Sequence, residues 1–196
     1  MDTTTIVAIV VLALILIGLA GWYYARQMRS DKLRERFGPE YHQTVRTLKS
    51  REAAEAELAE REKRVSRFNI VPLSAADCAR YEENWTSVQS EFVDHPDNAV
   101  LDANRLVREV MQKRGYPISG FEQAAADLSV DHPAVVENYR AAHRIAERSQ
   151  RGEADTEELR QAIVYYRALF QDLLGSDRVA SAGRPSLDRD ATRRAS

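Results

Sequence analysis

The sequence predicts an all-α protein with one N-terminal transmembrane helix, a charged stalk helix and a small antiparallel helical bundle. Three observations support this fold class. An apolar run near the N-terminus carries no charge, later segments repeat apolar residues at spacings of three and four, and no segment alternates apolar and polar residues as a strand would. At 196 residues the chain has room for one modest core beside an anchor, and not for two well-buried domains.

The first predicted element is a transmembrane helix over residues 6–25. The nineteen residues from Ile6 to Tyr24 are uncharged and, at about 1.5 Å each, match the roughly 30 Å hydrocarbon core of a bilayer. A buried core helix would show a polar stripe, and this run has none. A cleaved signal peptide is the alternative, because Gly18 and Ala20 offer small residues at a cleavage spacing. It would need a basic start and a shorter apolar stretch, which are absent.

The residues on either side of this run predict its orientation. Residues 1–5 contain one aspartate and no lysine or arginine, whereas aromatic and basic side chains cluster after the run. These membrane-flanking residues are Trp22, Tyr23, Tyr24, Arg26, Arg29, Lys32, Arg34 and Arg36. The positive-inside rule then places the N-terminus outside and the C-terminal region in the cytoplasm, with the chain in the inner, or cytoplasmic, cell membrane. The basic juxtamembrane segment, residues 26–38, should contact lipid headgroups mainly as a topology determinant, since Asp31 and Glu35 reduce its charge.

Gly38 and Pro39 break the chain, and residues 39–69 are predicted to form a charged helical stalk. Its centre, EAAEAELAEREKR, is rich in helix formers and places glutamates four residues before arginines, which favours an exposed helix. Glu52 and Glu55 stand where an apolar face should continue. The segment therefore predicts a solvated rod, about 40 Å long if continuous, rather than a strong coiled coil. Self-association through this helix is an alternative.

Residues 70–174 are predicted to form a bundle of four to five amphipathic helices. Several helix starts carry capping signals, at Ser74, Ser119 and Asp155. Apolar residues spaced three and four apart mark the first helix (Cys78, Tyr81, Trp85, Val88 and Phe92) and the last (Leu159, Ile163, Tyr166, Phe170 and Leu173). Short links between helices of this size favour an antiparallel bundle. Residues 175–196 are polar and small, and are predicted to be a disordered tail.

Motifs for catalysis and for cofactor binding are absent from the sequence. It contains no P-loop, no Gly-x-Gly-x-x-Gly and no Gly-x-Ser-x-Gly, so we predict no cofactor, no catalytic residue and no metal ligand. The formal net charge of −2 gives no reason to bind nucleic acid. The single cysteine, Cys78, excludes an internal disulfide, and its place on an apolar helix face predicts a buried, inert thiol.

The histidines at helix starts are predicted to serve the architecture. His95 and His132 stand beside aspartates, where a polar side chain can satisfy free backbone N–H groups, so capping is favoured over a ligand or catalytic role. His143 shares an apolar helix face and should point partly inward. The alternative function, a membrane-bound enzyme or ligand-binding bundle, would use His143 together with Glu137 or Glu147.

The function predicted from these features is that of a membrane-tethered helical interaction or scaffold module. This prediction is favoured over an enzyme. Its predicted partners are the lipid bilayer and either a second protein or a second copy of the chain. Tyr165 and Tyr166 are adjacent and point about 100° apart, so one of them must leave the apolar face. With Leu169 they form the predicted docking patch. Tethering raises the local concentration, so weak docking would suffice.

Three stretches of the sequence resemble uncharacterised bacterial single-pass membrane proteins with a helical soluble region. The stretches are LRERFGPEY, ADLSVDHPAVVENYRAAH and RGEADTEELRQAIVYYRALF, and the similarity covers residues 33–174. The resemblance implies an anchor followed by helices, and a bacterial origin. It carries over no functional residue.

Overall fold

The structure, a computed structural model, describes the backbone of residues 3–182 and the side chains of residues 12, 14–24 and 26–175. Over these residues the chain is helical and contains no strand, which confirms the predicted all-α class. The helices in chain order are α1 (Thr3–Phe37), α2 (Pro39–Leu48), α3 (Arg51–Val65), α4 (Ala75–Asp94), α5 (Pro96–Arg114), α6 (Phe121–Asp131), α7 (Val136–Gln150) and α8 (Thr156–Ala182).

Helix α1 contains the segment predicted to cross a membrane. The side chains of residues 6–11, 13 and 25 in that segment lie outside the described residues. Among the residues that are described, no helix combines the length and the apolar content that crossing a membrane requires.

The chain divides into two compact units between Lys63 and Arg64. Unit 1, residues 1–63, contains α1, α2 and most of α3. Unit 2, residues 64–196, contains α4 to α8.

The predicted stalk is two helices rather than one. Helix α2 ends at Leu48 and α3 begins at Arg51. Between them Lys49 adopts a left-handed conformation with φ 52°, through which an α-helix does not continue. Ser50 then caps α3, since its Oγ accepts a hydrogen bond from the Ala53 backbone N–H at 3.2 Å. The continuous rod of about 40 Å was therefore a wrong prediction.

Unit 1 also has an interior, although residues 26–63 are rich in charged side chains. Apolar side chains from all three of its helices are at most 5% exposed: Leu33, Phe37, Tyr41, Ala54 and Leu58. Leu33 and Phe37 follow the apolar run and lie four residues apart on one face of α1. This face of α1 is the one that packs in the interior of unit 1. The predicted solvated stalk is therefore corrected at Tyr41, Ala54 and Leu58, which are buried.

In unit 2, local capping signals begin two helices where the sequence predicts them. Ser74 Oγ accepts a hydrogen bond from the Asp77 N–H at 3.0 Å at the start of α4. At the start of α8, the Glu158 N–H donates to Asp155 at 2.8 Å and the Asp155 N–H donates to Glu158 at 3.0 Å. This reciprocal pair is a capping box, so both predictions are confirmed.

Two other boundaries differ from the predictions. Helix α6 begins after Gly120 with no side-chain cap, so the capping box predicted at Ser119 is wrong. Helix α8 continues to Ala182, so residues 175–182 of the predicted disordered tail are helical. Residues 183–196 lie outside the described part of the chain.

Unit 2 is a helical bundle organised around α5, which packs against α4, α7 and α8. The inward face of α5 is apolar and fully buried at Val100, Val107, Val110 and Met111. Across the bundle, Trp85 of α4 stacks on Phe170 of α8 with ring centroids 4.8 Å apart. These contacts form one continuous core.

A glycine fixes the end of α5. Gly115 has φ +102°, and a Cβ added there would lie 2.3 Å from the Asn69 carbonyl oxygen. The Val71 N–H also donates to the Arg114 carbonyl at 2.9 Å. The segment before α4 therefore approaches the end of α5 so closely that only glycine fits.

Candidate functional site

The first candidate site is the apolar surface of α1. Four consecutive residues, Leu14 to Ile17, are each 53–68% exposed. Because successive helical residues point about 100° apart, four of them sample the whole circumference of the helix. The apolar surface therefore surrounds α1 and forms no stripe, unlike that of a surface helix of a globular domain.

The apolar surface ends in the three predicted aromatic flanking residues. Trp22, Tyr23 and Tyr24 are 61%, 66% and 67% exposed. Trp22 also contacts the next turn, where the Arg26 guanidinium lies 5.5 Å from its ring centroid. Amphipathic rings that follow directly on an apolar surface are suited to the boundary between hydrocarbon and headgroups.

Three of the five predicted basic flanking residues are engaged within unit 1. Arg26 pairs with Glu52 at 2.8 Å, and Arg36 pairs with Glu62. The Arg34 guanidinium lies 5.3 Å from the ring centroid of Tyr41. Helices α2 and α3 thus bring carboxylates and an aromatic ring to three of the five basic residues.

The other two basic residues are open to solvent. Arg29 and Lys32 are exposed and form no ion pair or hydrogen bond within the described part of the chain. They stand three residues apart and so share one side of α1. The nearby Asp31 accepts a hydrogen bond from Gln27 at 3.4 Å. The structure therefore sorts the basic residues into an engaged group and an open pair.

Sequence reasoning missed a hydrogen-bond network around Glu55. One carboxylate oxygen of Glu55 accepts from Ser30 Oγ at 2.5 Å, from Tyr41 Oη at 2.8 Å and from Arg51 Nε at 2.8 Å. Burial of Glu55 opposes its charge, but the hydrogen bonds from Ser30, Arg51 and Tyr41 outweigh burial. The pKa of Glu55 is therefore lowered from its ordinary value of 4.5.

A second missed feature of unit 1 is a buried ion pair. Arg61 donates to Glu40 at 2.7 Å, with side chains 12% and 2% exposed. Arg61 also donates to Glu57 at 2.9 Å, and that pair was visible as an i,i+4 spacing. The sequence signal for an interior was the spacing of Leu33 and Phe37 within the basic run, which marks an apolar face.

The predicted docking patch is buried, and that prediction is wrong. Tyr166 and Leu169 are 0% exposed, and Tyr165 is half-buried against the core. Helix α8 packs against both α5 and α7, so it needs an apolar face wide enough for two neighbours. Burial raises the pKa of the Tyr166 phenol, as expected for a hydroxyl removed from water.

The predicted capping roles of two histidines are also corrected. His95 makes no side-chain hydrogen bond at the start of α5. His132 is buried, and its Nδ1 lies 2.5 Å from the carboxylate of Asp172 on α8. The backbone N–H of His132 donates to Leu128 at the end of α6. The contact of its ring with Asp172 shows that the ring faces α8 rather than the start of α7.

His143 is held by an aromatic ring and one carboxylate. Its ring stacks on Phe121 with centroids 3.6 Å apart, and its Nε2 lies 3.4 Å from Glu147. Burial lowers the pKa of His143, which favours the neutral ring. Glu137 instead pairs with two arginines of α7. Among the described residues no three histidine, cysteine or carboxylate side chains are grouped to hold a metal ion.

Cys78 is half-buried and packs against the core of unit 2, in line with its place on the apolar face of α4.

Comparison of this chain with protein families, curated proteins and solved structures found no match. The resemblance carried by the three sequence stretches therefore stays a prediction.

Proposed function

We propose that the protein is a membrane-tethered helical interaction module, anchored in the cell membrane through residues 6–25 of α1. The observation that carries the proposal is the apolar surface around Leu14–Ile17, which is exposed on every side of the helix. Apolar area in water costs about 25 cal/mol per Å². Lipid chains cover a helix around its whole circumference, and a helix satisfies its own backbone hydrogen bonds there.

The flanking residues support an orientation with the N-terminus outside and both units in the cytoplasm. Exposed aromatic rings at Trp22, Tyr23 and Tyr24 suit one membrane boundary. The basic residues from Arg26 onward then favour the cytoplasmic side, since residues 1–5 offer no basic residue to compete.

The two units would have separate roles in such a module. In unit 1, α2 and α3 pack on the end of α1 beyond the aromatic rings, so the anchor continues into folded structure. In unit 2, His132 is held by Asp172, and His143 by Phe121 and Glu147. A structural role for both histidines is consistent with an interaction module.

The anchor is tested by extraction of membranes that contain the full chain. We expect the protein to resist alkaline carbonate and to float with vesicles. Leu14→Arg/Ile17→Arg should be released, because each arginine at the centre of a membrane helix costs about 2.5–3.5 kcal/mol. The matched control is Val93→Arg/Val164→Arg, which places the same charges on exposed positions of unit 2. Release of the wild-type chain by carbonate would contradict the anchor.

The orientation is tested by a reporter fused after Ser196. A reporter that is active only in the cytoplasm should be active, and one that is active only outside the membrane should be silent. The opposite pattern would overturn the topology and the class of partner with it.

The module itself is tested by isolating the full chain from detergent extracts. We expect the wild-type chain to retain a defined protein or to form a defined oligomer in light scattering. Disrupting the core of unit 2 should abolish that association. A monomer with no retained protein, combined with turnover of a substrate, would favour the enzyme alternative.

A further inference from the structure

We infer that Arg29 and Lys32, which have no ion-pair or hydrogen-bond partner among the described residues, form a contact site for the phosphate groups of anionic phospholipids. The inference rests on the proposed function, because it requires α1 to enter a bilayer.

One side of α1 is occupied by its neighbours in unit 1. Arg26 pairs with Glu52, Ser30 donates to Glu55, and the next two residues on that side are buried. The four residues of this covered side are Arg26, Ser30, Leu33 and Phe37, spaced four, three and four apart. A protein side chain thus meets α1 at every turn between Arg26 and Phe37 on that side.

Arg29 and Lys32 lie outside the covered side. At 100° per residue they point about 60° and 120° away from the direction of Arg26. Both are exposed, and neither has an ion-pair or hydrogen-bond partner among the described residues. Their charges are therefore available to an external anion, whereas that of Arg26 is balanced by Glu52.

Both cations stand within reach of the headgroup layer. Helix α1 is continuous to Phe37, so the backbone of Arg29 is about 7.5 Å beyond Tyr24 and that of Lys32 about 12 Å beyond it. The headgroup layer adds roughly 5–7 Å on each side of the hydrocarbon. Side chains on a helix lean toward its N-terminus, which here is toward the bilayer, and long basic side chains snorkel in that direction. Arg36, about 18 Å beyond Tyr24, is too distant.

The chemistry of the pair matches lipid phosphate. A guanidinium donates two parallel hydrogen bonds to phosphate oxygens, and an ammonium adds a compact positive charge. Of the neighbouring acids, Asp31 points about 160° away from Arg29 and about 100° away from Lys32 around the helix, and Glu35 stands about 4.5 Å further from the bilayer than Lys32. The open pair therefore presents a positive surface at the level where an anionic leaflet is most negative.

The test uses the full chain in vesicles that contain a brominated lipid, which quenches tryptophan fluorescence on contact. Trp22 lies at the end of the apolar surface and reports which lipid surrounds it, while Trp85 gives a background common to all variants. Quenching by brominated phosphatidylglycerol is compared with quenching by brominated phosphatidylcholine. Arg29→Gln/Lys32→Gln is compared with Arg26→Gln/Arg36→Gln, which removes the same charge from engaged residues.

We expect the wild-type chain to prefer the anionic lipid by roughly tenfold. The preference should fall to near one in Arg29→Gln/Lys32→Gln and remain within about twofold of wild type in Arg26→Gln/Arg36→Gln. Arg29→Lys, which keeps the charge, should retain most of it. Equal losses in the two double variants, or no loss in either, would overturn the inference.

The same measurement separates this inference from the proposed function. If the wild-type chain is quenched equally by both lipids, the anchor stands and the phosphate site fails. If neither lipid quenches the wild-type chain, the anchor fails, and the phosphate site fails with it.

Discussion

The two units bury different kinds of side chain. In unit 1 the buried Glu40 is 2% exposed and pairs with Arg61 at 2.7 Å, whereas in unit 2 the buried Leu169 is apolar and 0% exposed. The contrast extends to both interiors. Unit 1 buries few large apolar side chains and surrounds the Glu55 carboxylate with three donors. Unit 2 buries aliphatic and aromatic side chains on five helices. An interior can therefore form where the sequence seems too charged to have one, provided that each buried charge has a partner.

The two interiors should fail in different ways. The stability that a buried ion pair provides depends on both residues. If one is removed, the other charge stays in the protein interior, which solvates charge poorly. An apolar core loses stability in proportion to the side-chain volume that is removed. Substitutions in the two units, made in the full chain, test this difference.

Arg61→Met should have the largest effect. It removes the guanidinium that pairs with the buried Glu40 carboxylate, at a cost of about 3–5 kcal/mol. Because α2 and α3 are short helices with few apolar contacts, this loss should unfold them locally. Hydrogen exchange measured by mass spectrometry should show lost amide protection in α2 and α3 and unchanged protection in unit 2.

Two variants control this prediction. Glu40→Leu/Arg61→Met removes both charges and should recover much of the protection, since an apolar pair replaces the ion pair. Arg26→Met should change protection little, because Arg26 and Glu52 are both solvent-exposed. Full protection of α2 and α3 in Arg61→Met would show that the interior of unit 1 does not depend on this pair.

Leu169→Ala should destabilise unit 2 by about 3 kcal/mol, the cost of a cavity in a packed core. Unfolding by urea can be followed through Trp85 alone in a Trp22→Phe background, since the chain has two tryptophans. Val164→Ala, on the same helix at a position 45% exposed, should change stability by less than about 0.5 kcal/mol. Similar changes in the free energy of unfolding for the two variants would indicate that Leu169 is exposed, as the predicted docking patch requires.

The elements of unit 2 were largely predictable, because their signals are local. Ser74 and Asp155 cap helices through residues three positions away, and an apolar spacing of three and four marks a buried face whatever it packs against. The docking patch failed for a reason that is not local. Which of two adjacent tyrosines leaves the apolar face depends on how many helices α8 contacts, and that number is not written in α8 itself.

Unit 1 was less predictable, because its order comes from pairs distant in sequence. Near Lys49 the only local signal is Ser50, which caps α3, since glycine and proline are absent there. The eight flanking residues could be named from composition and position. Their division into engaged residues and the open pair of Arg29 and Lys32 depends on carboxylates of α3 more than twenty residues away.

Gly115→Ala should destabilise unit 2 by about 2–3 kcal/mol. The φ of +102° costs an alanine about 1–2 kcal/mol, and the new Cβ would also displace the Asn69 carbonyl that lies 2.3 Å from it. Gly152→Ala is the matched control, because φ is +70° there and no atom lies within 4 Å of an added Cβ. The difference between the two urea midpoints measures the cost of the contact between the new Cβ and the Asn69 carbonyl, separately from the cost of a positive φ. Equal midpoints would mean that Asn69 shifts at no cost.

The smallest expected effect is the pH dependence of unit 1. The pKa of Glu55 in the folded chain is lowered from the ordinary 4.5, because hydrogen bonds from Ser30, Arg51 and Tyr41 outweigh the opposing effect of burial. A group with a lowered pKa stabilises the fold fully above its unfolded-state pKa and loses that contribution as the pH falls through the folded-state pKa. Protection of α2 and α3 should thus be constant above about pH 5 and decline below 4.5.

This decline can be assigned to one carboxylate. In Glu55→Gln, which keeps a similar shape without the charge, protection should be weaker at neutral pH and should change less between pH 5 and pH 3, after correction for intrinsic exchange rates. The effect is smaller than that of Arg61→Met because protonated Glu55 can still accept hydrogen bonds, whereas Arg61→Met removes the side chain that pairs with buried Glu40. If Glu55→Gln declined as steeply as wild type, the acid sensitivity would belong to other carboxylates of unit 1, and the contrast between its ionic interior and the apolar core of unit 2 would rest on the Glu40–Arg61 pair alone.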